Sequence, residues 1–159
     1  MMKYLFFVLV TGMVVLLDQA AKALVLTRLP LHNSIAVIPG LFNLTHVHNP
    51  GGAFGFLAGN GGVWRHWLFL GAALVALILI VYFYYHTPRN KVWLRLALGM
   101  IFGGAVGNLI DRLRFGEVVD FLDFYIGHLH WPAFNIADSG VTVGVVIFIL
   151  HIVFKRMPF

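Results

Sequence analysis

Asp120 and Asp138 stand 18 residues apart, each at the border of an apolar stretch in a chain with few charges. They come from different segments, Val118-Val119-Asp120-Phe121 and Phe134-Asn135-Ile136-Ala137-Asp138, and share their surroundings with Asn49, Asn108 and Asn135. An acid near a bilayer is retained where it has a partner or a task. Two carboxylates held close together share a proton and split their pKa values. One can then take a proton from water while the other polarises a carbonyl, which is the chemistry of an aspartic protease. The chain has no cysteine, so disulfides, thiolate zinc sites and a cysteine nucleophile are excluded, and no Ser–His arrangement is evident. A plainer role exists for Asp138, since an acid in the first turn of a helix answers the helix dipole. The second aspartate and the three asparagines favour the chemical role.

Other constellations surround this pair. Asp18 and Lys22 are spaced i, i+4 on one helix face, either as an ion pair that fixes the first helix or as a direct contact to substrate. Gly103 and Gly107 fit the small-xxx-small spacing of close helix packing. Asn108, Asp111 and Arg112 follow on one face, and since Asp111 and Arg112 are adjacent, Arg112 is expected to reach an acid elsewhere. His46-Val47-His48 and His128-Leu129-His130 are H-x-H pairs, and on a strand each could offer two ligands to one metal. Neither belongs to an H-E-x-x-H helix, so both read as surface or interfacial histidines, and no metal or other cofactor is expected.

These residues need a membrane-embedded frame. Of the 159 residues 60% are hydrophobic and 11% charged, against about 25% charged in soluble domains. This is an α-helical integral membrane protein forming a single domain, 1–159. The net charge of +5 comes from basic residues at segment ends, where lipid head groups rather than nucleic acid are the counter-charge. Four membrane helices are expected, at about 4–26, 63–85, 92–113 and 134–154. A cleaved secretory leader is the alternative for the first, but its apolar pattern continues past Asp18 to Leu26 and reaches the ~20 residues a span requires. Tyr82, Tyr84 and Tyr85 suggest an interfacial belt closing the second. The intervening stretch of about 27–62 is too long for a turn. Ile35–Ile38, the Pro39-Gly40 turn and the alternation from Leu44 to His48 predict a small extramembrane β-sheet, ended by Asn49-Pro50-Gly51-Gly52-Ala53-Phe54, whose glycines allow close backbone approach.

With four spans both termini lie on one side. Lys3, Arg89, Lys91, Arg95, Lys155 and Arg156 then oppose Lys22, Arg28, Arg65, Arg112 and Arg114. The positive-inside bias places the termini and the 86–91 turn in the cytoplasm. All six acids, Asp18, Asp111, Glu117, Asp120, Asp123 and Asp138, then fall at the outer level. A proton path would spread its acids through the full depth, so this clustering favours a site at the outer interface over the alternative, a small ion or proton carrier or an assembly factor using the same acids.

Five blocks in order carry a resemblance: Asp18-Gln19-Ala20-Ala21-Lys22, Asn49 to Phe54, Gly103-Gly104-Ala105-Val106-Gly107-Asn108-Leu109-Ile110-Asp111-Arg112, Val118 to Phe121 and Phe134 to Asp138. Over nearly its whole length the chain resembles the bacterial lipoprotein signal peptidases, or signal peptidase II family. The resemblance implies a four-helix inner-membrane aspartic endopeptidase with a β-cradle and a short periplasmic helix. It would cut before the diacylglyceryl-modified cysteine of a prolipoprotein, with Asp120 and Asp138 as its catalytic dyad. Asp18, Lys22, Asn49, Gly104, Asn108, Arg112 and Asn135 fall on the family's other motif positions and would bind substrate or support the dyad. The implied partners are the lipidated signal peptide, membrane lipids and cyclic peptide inhibitors of the globomycin type, acting on a monomer. The loop departs from the family pattern at Pro50 and Gly52, which affects only its detailed shape.

Overall fold

The computed structural model describes residues 2–51 and 63–154. Four helices arise where uncharged runs are longest: α1 (Met2–Arg28), α2 (Val63–His86), α3 (Val92–Phe115) and α4 (Ile136–Val153). Among the described residues these four are long and apolar enough to cross a membrane. Much of their apolar surface is uncovered, with Leu16 70% and Ile78 68% exposed. In water this arrangement would forgo the hydrophobic effect, whereas in a bilayer lipid covers these faces and the helices satisfy their own backbone groups. The ends lie within two residues of the expected spans; α4 falls short of its span, starting at Ile136 because Asn135 caps it and ending at Val153.

Helix α3 is the inner helix, packed on α1, α2 and α4. Its glycines make this possible. A Cβ at Gly103 would meet Val14 and the Thr11 carbonyl of α1, and one at Gly104 would meet the Ala137 carbonyl of α4. The expected packing role of Gly103 and Gly107 therefore holds, and it extends to Gly99, Gly140 and Gly144. At the end of the bundle remote from the acids, Tyr84 departs from the expected aromatic belt. It is 2% exposed, donates to the Lys3 carbonyl at 2.6 Å and accepts from Arg95 at 3.2 Å. Arg95 also donates to the carbonyls of Arg89 and Lys3, tying the start of α1 to the α2–α3 turn. Lys155 and Arg156 lie outside the described residues.

The extramembrane sheet is larger than expected. Strands β1 (Ser34–Ile38) and β2 (Phe42–Asn49) form the predicted hairpin, with Gly40 at φ 82° in the turn. Two further strands, β3 (Val118–Ile126) and β4 (Leu129–His130), extend it in the order β1-β2-β3-β4, all antiparallel. Strand β3 starts directly after α3, which ends at Gly116 in the left-handed region, φ 77°. The first half of β3 is buried on both faces, so its apolar residues do not alternate and give no period-two signal. Between Leu29 and Gly51 there are only strands and turns. The short extramembrane helix implied by the resemblance is not among these elements, and residues 52–62, which include Gly52 to Phe54, lie outside the described residues.

Candidate active site

The register of β2 on β3 pairs Asn49 with Val118 and Val47 with Asp120. That delivers Asp120 to the mouth of the bundle, where α4 begins. Asn135 caps α4 with a reciprocal capping box: its side chain accepts from the Asp138 N–H at 2.9 Å and its own N–H donates to Asp138 at 3.2 Å. The dipole reading of Asp138 is thus correct as far as it goes, and the same cap fixes the carboxylate in place. Asn135 also donates its amide to Asp120 at 2.7 Å.

Each of the four carboxylate oxygens of the pair accepts a hydrogen bond. Asp120 takes its two from Asn135 (2.7 Å) and Asn49 (3.1 Å). Asp138 takes its two from Asn108 (2.8 Å) and the Asn135 N–H (3.2 Å). Asn135 further donates to Asn108 at 3.1 Å, so the two acids are joined through a pair of amides. Burial first, and then the neighbouring charge of Asp138, push the Asp120 carboxyl up from its ordinary 3.8 to about 7, although the bonds from Asn49 and Asn135 and the charge of Lys22 pull it down.

Behind this layer lies a buried ionic cluster. Lys22 reaches Asp18 at 2.9 Å and Asp111 at 2.7 Å, and donates to Asn108 at 3.1 Å. Gln19 donates to Asp18 and Asp111 at 3.1 and 3.0 Å. Asp18 also accepts from the Ala137 N–H at 2.9 Å and Asp111 from the Val119 N–H at 3.1 Å. Helices α1 and α3, the start of β3 and the first turn of α4 therefore meet on one lysine. Gly107 is open for this purpose, since a Cβ there would lie 2.7 Å from an Asp18 oxygen.

In front of the pair is a cavity of about 590 Å³. Asn49, Asn108, Arg112, Asp120 and Asp138 supply its polar floor, and Val118, Trp131, Phe134, Val141 and Val143 its apolar walls. Such a mixture suits a ligand that is mostly apolar with one polar segment. Arg112 does not reach a carboxylate as expected. It donates to the Gly51 carbonyl at 2.8 Å and stacks over Phe69 at 4.7 Å, while amides hold the oxygens of Asp120 and Asp138. Asp18 and Lys22 lie behind the acids rather than in the cavity, and Gly104 sits in the α3–α4 contact. Sequence reading did not single out Gln19, and it placed Asp111 on the polar face of α3 without its partner. The signals available were the position of Gln19 beside Asp18 and the i, i+3 spacing of Asp111 from Asn108.

Residues 10–154 match the family model described as signal peptidase (SPase) II. The chain is 53% identical over 150 residues to the lipoprotein signal peptidase of Desulforapulum autotrophicum, covering 94% of this chain and 93% of that one. The corresponding protein of Syntrophus aciditrophicus is 44% identical with the same coverage. Among solved structures, a bacterial membrane enzyme determined by the in meso method at 2.3 Å superposes with a TM-score of 0.85 at 36% identity, over 94% of this chain and 88% of that one. A second, at 1.9 Å, superposes with a TM-score of 0.80 at 37% identity, over 92% and 91%. A model match spanning most of the chain, relatives of this identity and a shared four-helix frame have one meaning: this multi-pass membrane protein belongs to the signal peptidase II family of peptidases.

Proposed function

We propose that the protein is an aspartic endopeptidase that removes the signal peptide of a diacylglyceryl-modified prolipoprotein, cutting before the lipidated cysteine. The observation that carries this reading is the pair Asp120 and Asp138 at one cavity, with every carboxylate oxygen held by an amide. The signal peptide enters sideways from the lipid, and its cleavage segment unwinds over the pair. A water lies between the two acids. The ionised aspartate takes its proton as the oxygen attacks the carbonyl carbon, and the protonated aspartate donates to the carbonyl oxygen. Collapse of the tetrahedral intermediate breaks the C–N bond as a proton passes to the leaving nitrogen. Acid and base are roles of the coupled pair, which titrates as a unit. Asn49, Asn108 and Asn135 orient the dyad, and Arg112 fixes the segment around Gly51 at the rim. The diacylglyceryl chains remain in lipid along the apolar walls.

Both termini are cytoplasmic in this reading, and the dyad faces the outer side. The acids gather at one end of the bundle, which favours a peptidase over a carrier that conducts through the whole depth. The test is a gel-shift cleavage assay with a prolipoprotein before and after diacylglyceryl transfer, with and without EDTA. Cleavage of the lipidated form alone, indifferent to EDTA and abolished by Asp120→Asn or Asp138→Asn in folded protein, is expected. Full activity in either variant overturns the dyad assignment.

A further inference from the structure

His46 and His48 sit two residues apart on β2 and turn the same way, with their Nε2 atoms 3.2 Å apart. The other nitrogen of each ring also has an oxygen as its neighbour. His46 Nδ1 donates to the Leu29 carbonyl at 2.8 Å, and His48 Nδ1 faces a carboxylate oxygen of Glu117 at 3.4 Å. A ring that donates through Nδ1 and is neutral presents a lone pair at Nε2. The two Nε2 atoms therefore meet either through a hydrogen bond, with His48 in its Nε2–H tautomer donating to His46, or through a cation that both lone pairs face. A metal ion serves both rings in their neutral form.

We propose that His46 and His48 form a binding site for a divalent transition-metal ion of the zinc class. Two imidazole nitrogens each about 2.0–2.1 Å from a tetrahedral zinc are separated by about 3.3 Å, close to the separation found here. Metal-bound histidines characteristically donate their second ring nitrogen to a backbone carbonyl or a carboxylate, and Leu29 and Glu117 are one of each. Imidazole ligation suits zinc, nickel and copper rather than magnesium or calcium. His48 is 24% exposed, so water can complete the coordination. The ion would brace the end of α1, strand β2 and the turn after α3 directly beside Asn49, the residue that holds Asp120. It takes no part in the proposed hydrolysis. The other H-x-H pair lacks this arrangement: His128 lies in the turn before β4, while His130 donates to Asp123 at 2.9 Å and stacks on Tyr125.

The full chain, purified in detergent, stripped with EDTA and freed of the chelator, is titrated with Zn²⁺ against a competing chromophoric chelator. One equivalent should bind. His48→Gln should remove that binding and His128→Gln should leave it unchanged. Glu117→Gln should weaken it about tenfold, as loss of a partner to a metal-bound histidine does. Because His46 ties β2 to α1 and its replacement could unfold the sheet, the argument rests on His48 and Glu117. Absence of zinc binding by folded wild-type protein would overturn the site and leave a hydrogen bond between the two rings, which nitrogen-15 NMR reads as one protonated Nε2. Equal zinc binding by His48→Gln would overturn the site.

Discussion

Lys22 is the cation that the buried acids share, and Lys22→Met tests whether it is a brace or a substrate contact. Its side chain is 2% exposed, and those of Asp18 and Asp111 are 0% and 1% exposed. The substitution keeps the length and apolar volume of the stem but leaves two carboxylates facing each other without a cation. Breaking a buried ion pair by removing one partner costs about 3–5 kcal/mol. For a chain of this size that is a fall in Tm of roughly 6–20 °C, at about 2–4 °C per kcal/mol. Asp18→Asn or Asp111→Asn alone is much milder, because Lys22 keeps the other acid. The triple variant Lys22→Met/Asp18→Asn/Asp111→Asn removes every charge of the cluster and should regain most of the loss, since neutral replacement of a buried ion cluster is often harmless. Thermal unfolding of the detergent-solubilised protein, followed by tryptophan fluorescence, measures all four. The reasoning fails if Lys22→Met melts within about 1 kcal/mol of wild type, the range of an exposed pair. Unchanged melting together with lost cleavage would instead make Lys22 a substrate contact.

Three further outcomes follow from the same geometry. Asp120 has a folded pKa raised from 3.8 to about 7. Its contribution to stability is therefore fully present below about pH 4 and lost as pH rises through about 7. Asp120→Asn should gain in Tm relative to wild type across that window, and a difference independent of pH would refute the assignment. Gly104→Ala sets a methyl against the Ala137 carbonyl, a backbone group that cannot turn away. It should cost about 1–3 kcal/mol by overpacking and reduce cleavage, whereas Gly71→Ala, with open space around it, should be neutral or slightly stabilising in the same melt. Arg112→Lys cannot both reach the Gly51 carbonyl and stack over Phe69. Cleavage kinetics should show about a tenfold fall in kcat/KM, from a hydrogen bond worth about 1.5 kcal/mol, with little change in Tm.

The helices could be read from the sequence because uncharged runs of membrane length have few other fates. The hairpin of β1 and β2 could be read because one face alternates and Pro39-Gly40 marks the turn. Strand β3 was hidden because Val118, Val119, Asp120 and Phe121 are all buried, so its residues do not alternate between a wet face and a dry one. The two candidate acids stood out because a carboxylate at the border of an apolar run needs a reason to be there. Their partners could not be paired in the same way. The bond from Gln19 to Asp111 spans 92 positions and that from Arg112 to Gly51 spans 61, and nothing local distinguishes the chosen partner from other groups on the same face. The expectation that Arg112 meets an acid was sound about charge. It failed because amides already hold the oxygens of Asp120 and Asp138, and the guanidinium meets the Gly51 carbonyl instead.

The same few groups hold the fold and the pair of aspartates together. Asn135 caps α4, and with that one side chain it also holds Asp120 and touches Asn108. Asn108 holds Asp138 while accepting from Lys22, and Lys22 holds both Asp18, which fastens α1 to the first turn of α4, and Asp111, which fastens α3 to the start of β3. Three of the four hydrogen bonds to the pair come from Asn108 and Asn135, and these cannot shift without loosening the cap of α4 or the contact to Lys22. Burying Asp120 is costly in isolation, and raising its pKa toward neutrality is the form that cost takes. Within this network it keeps a fixed position at a pH where it can either hold or release a proton. That is the property a pair of aspartates needs in order to divide the roles of acid and base.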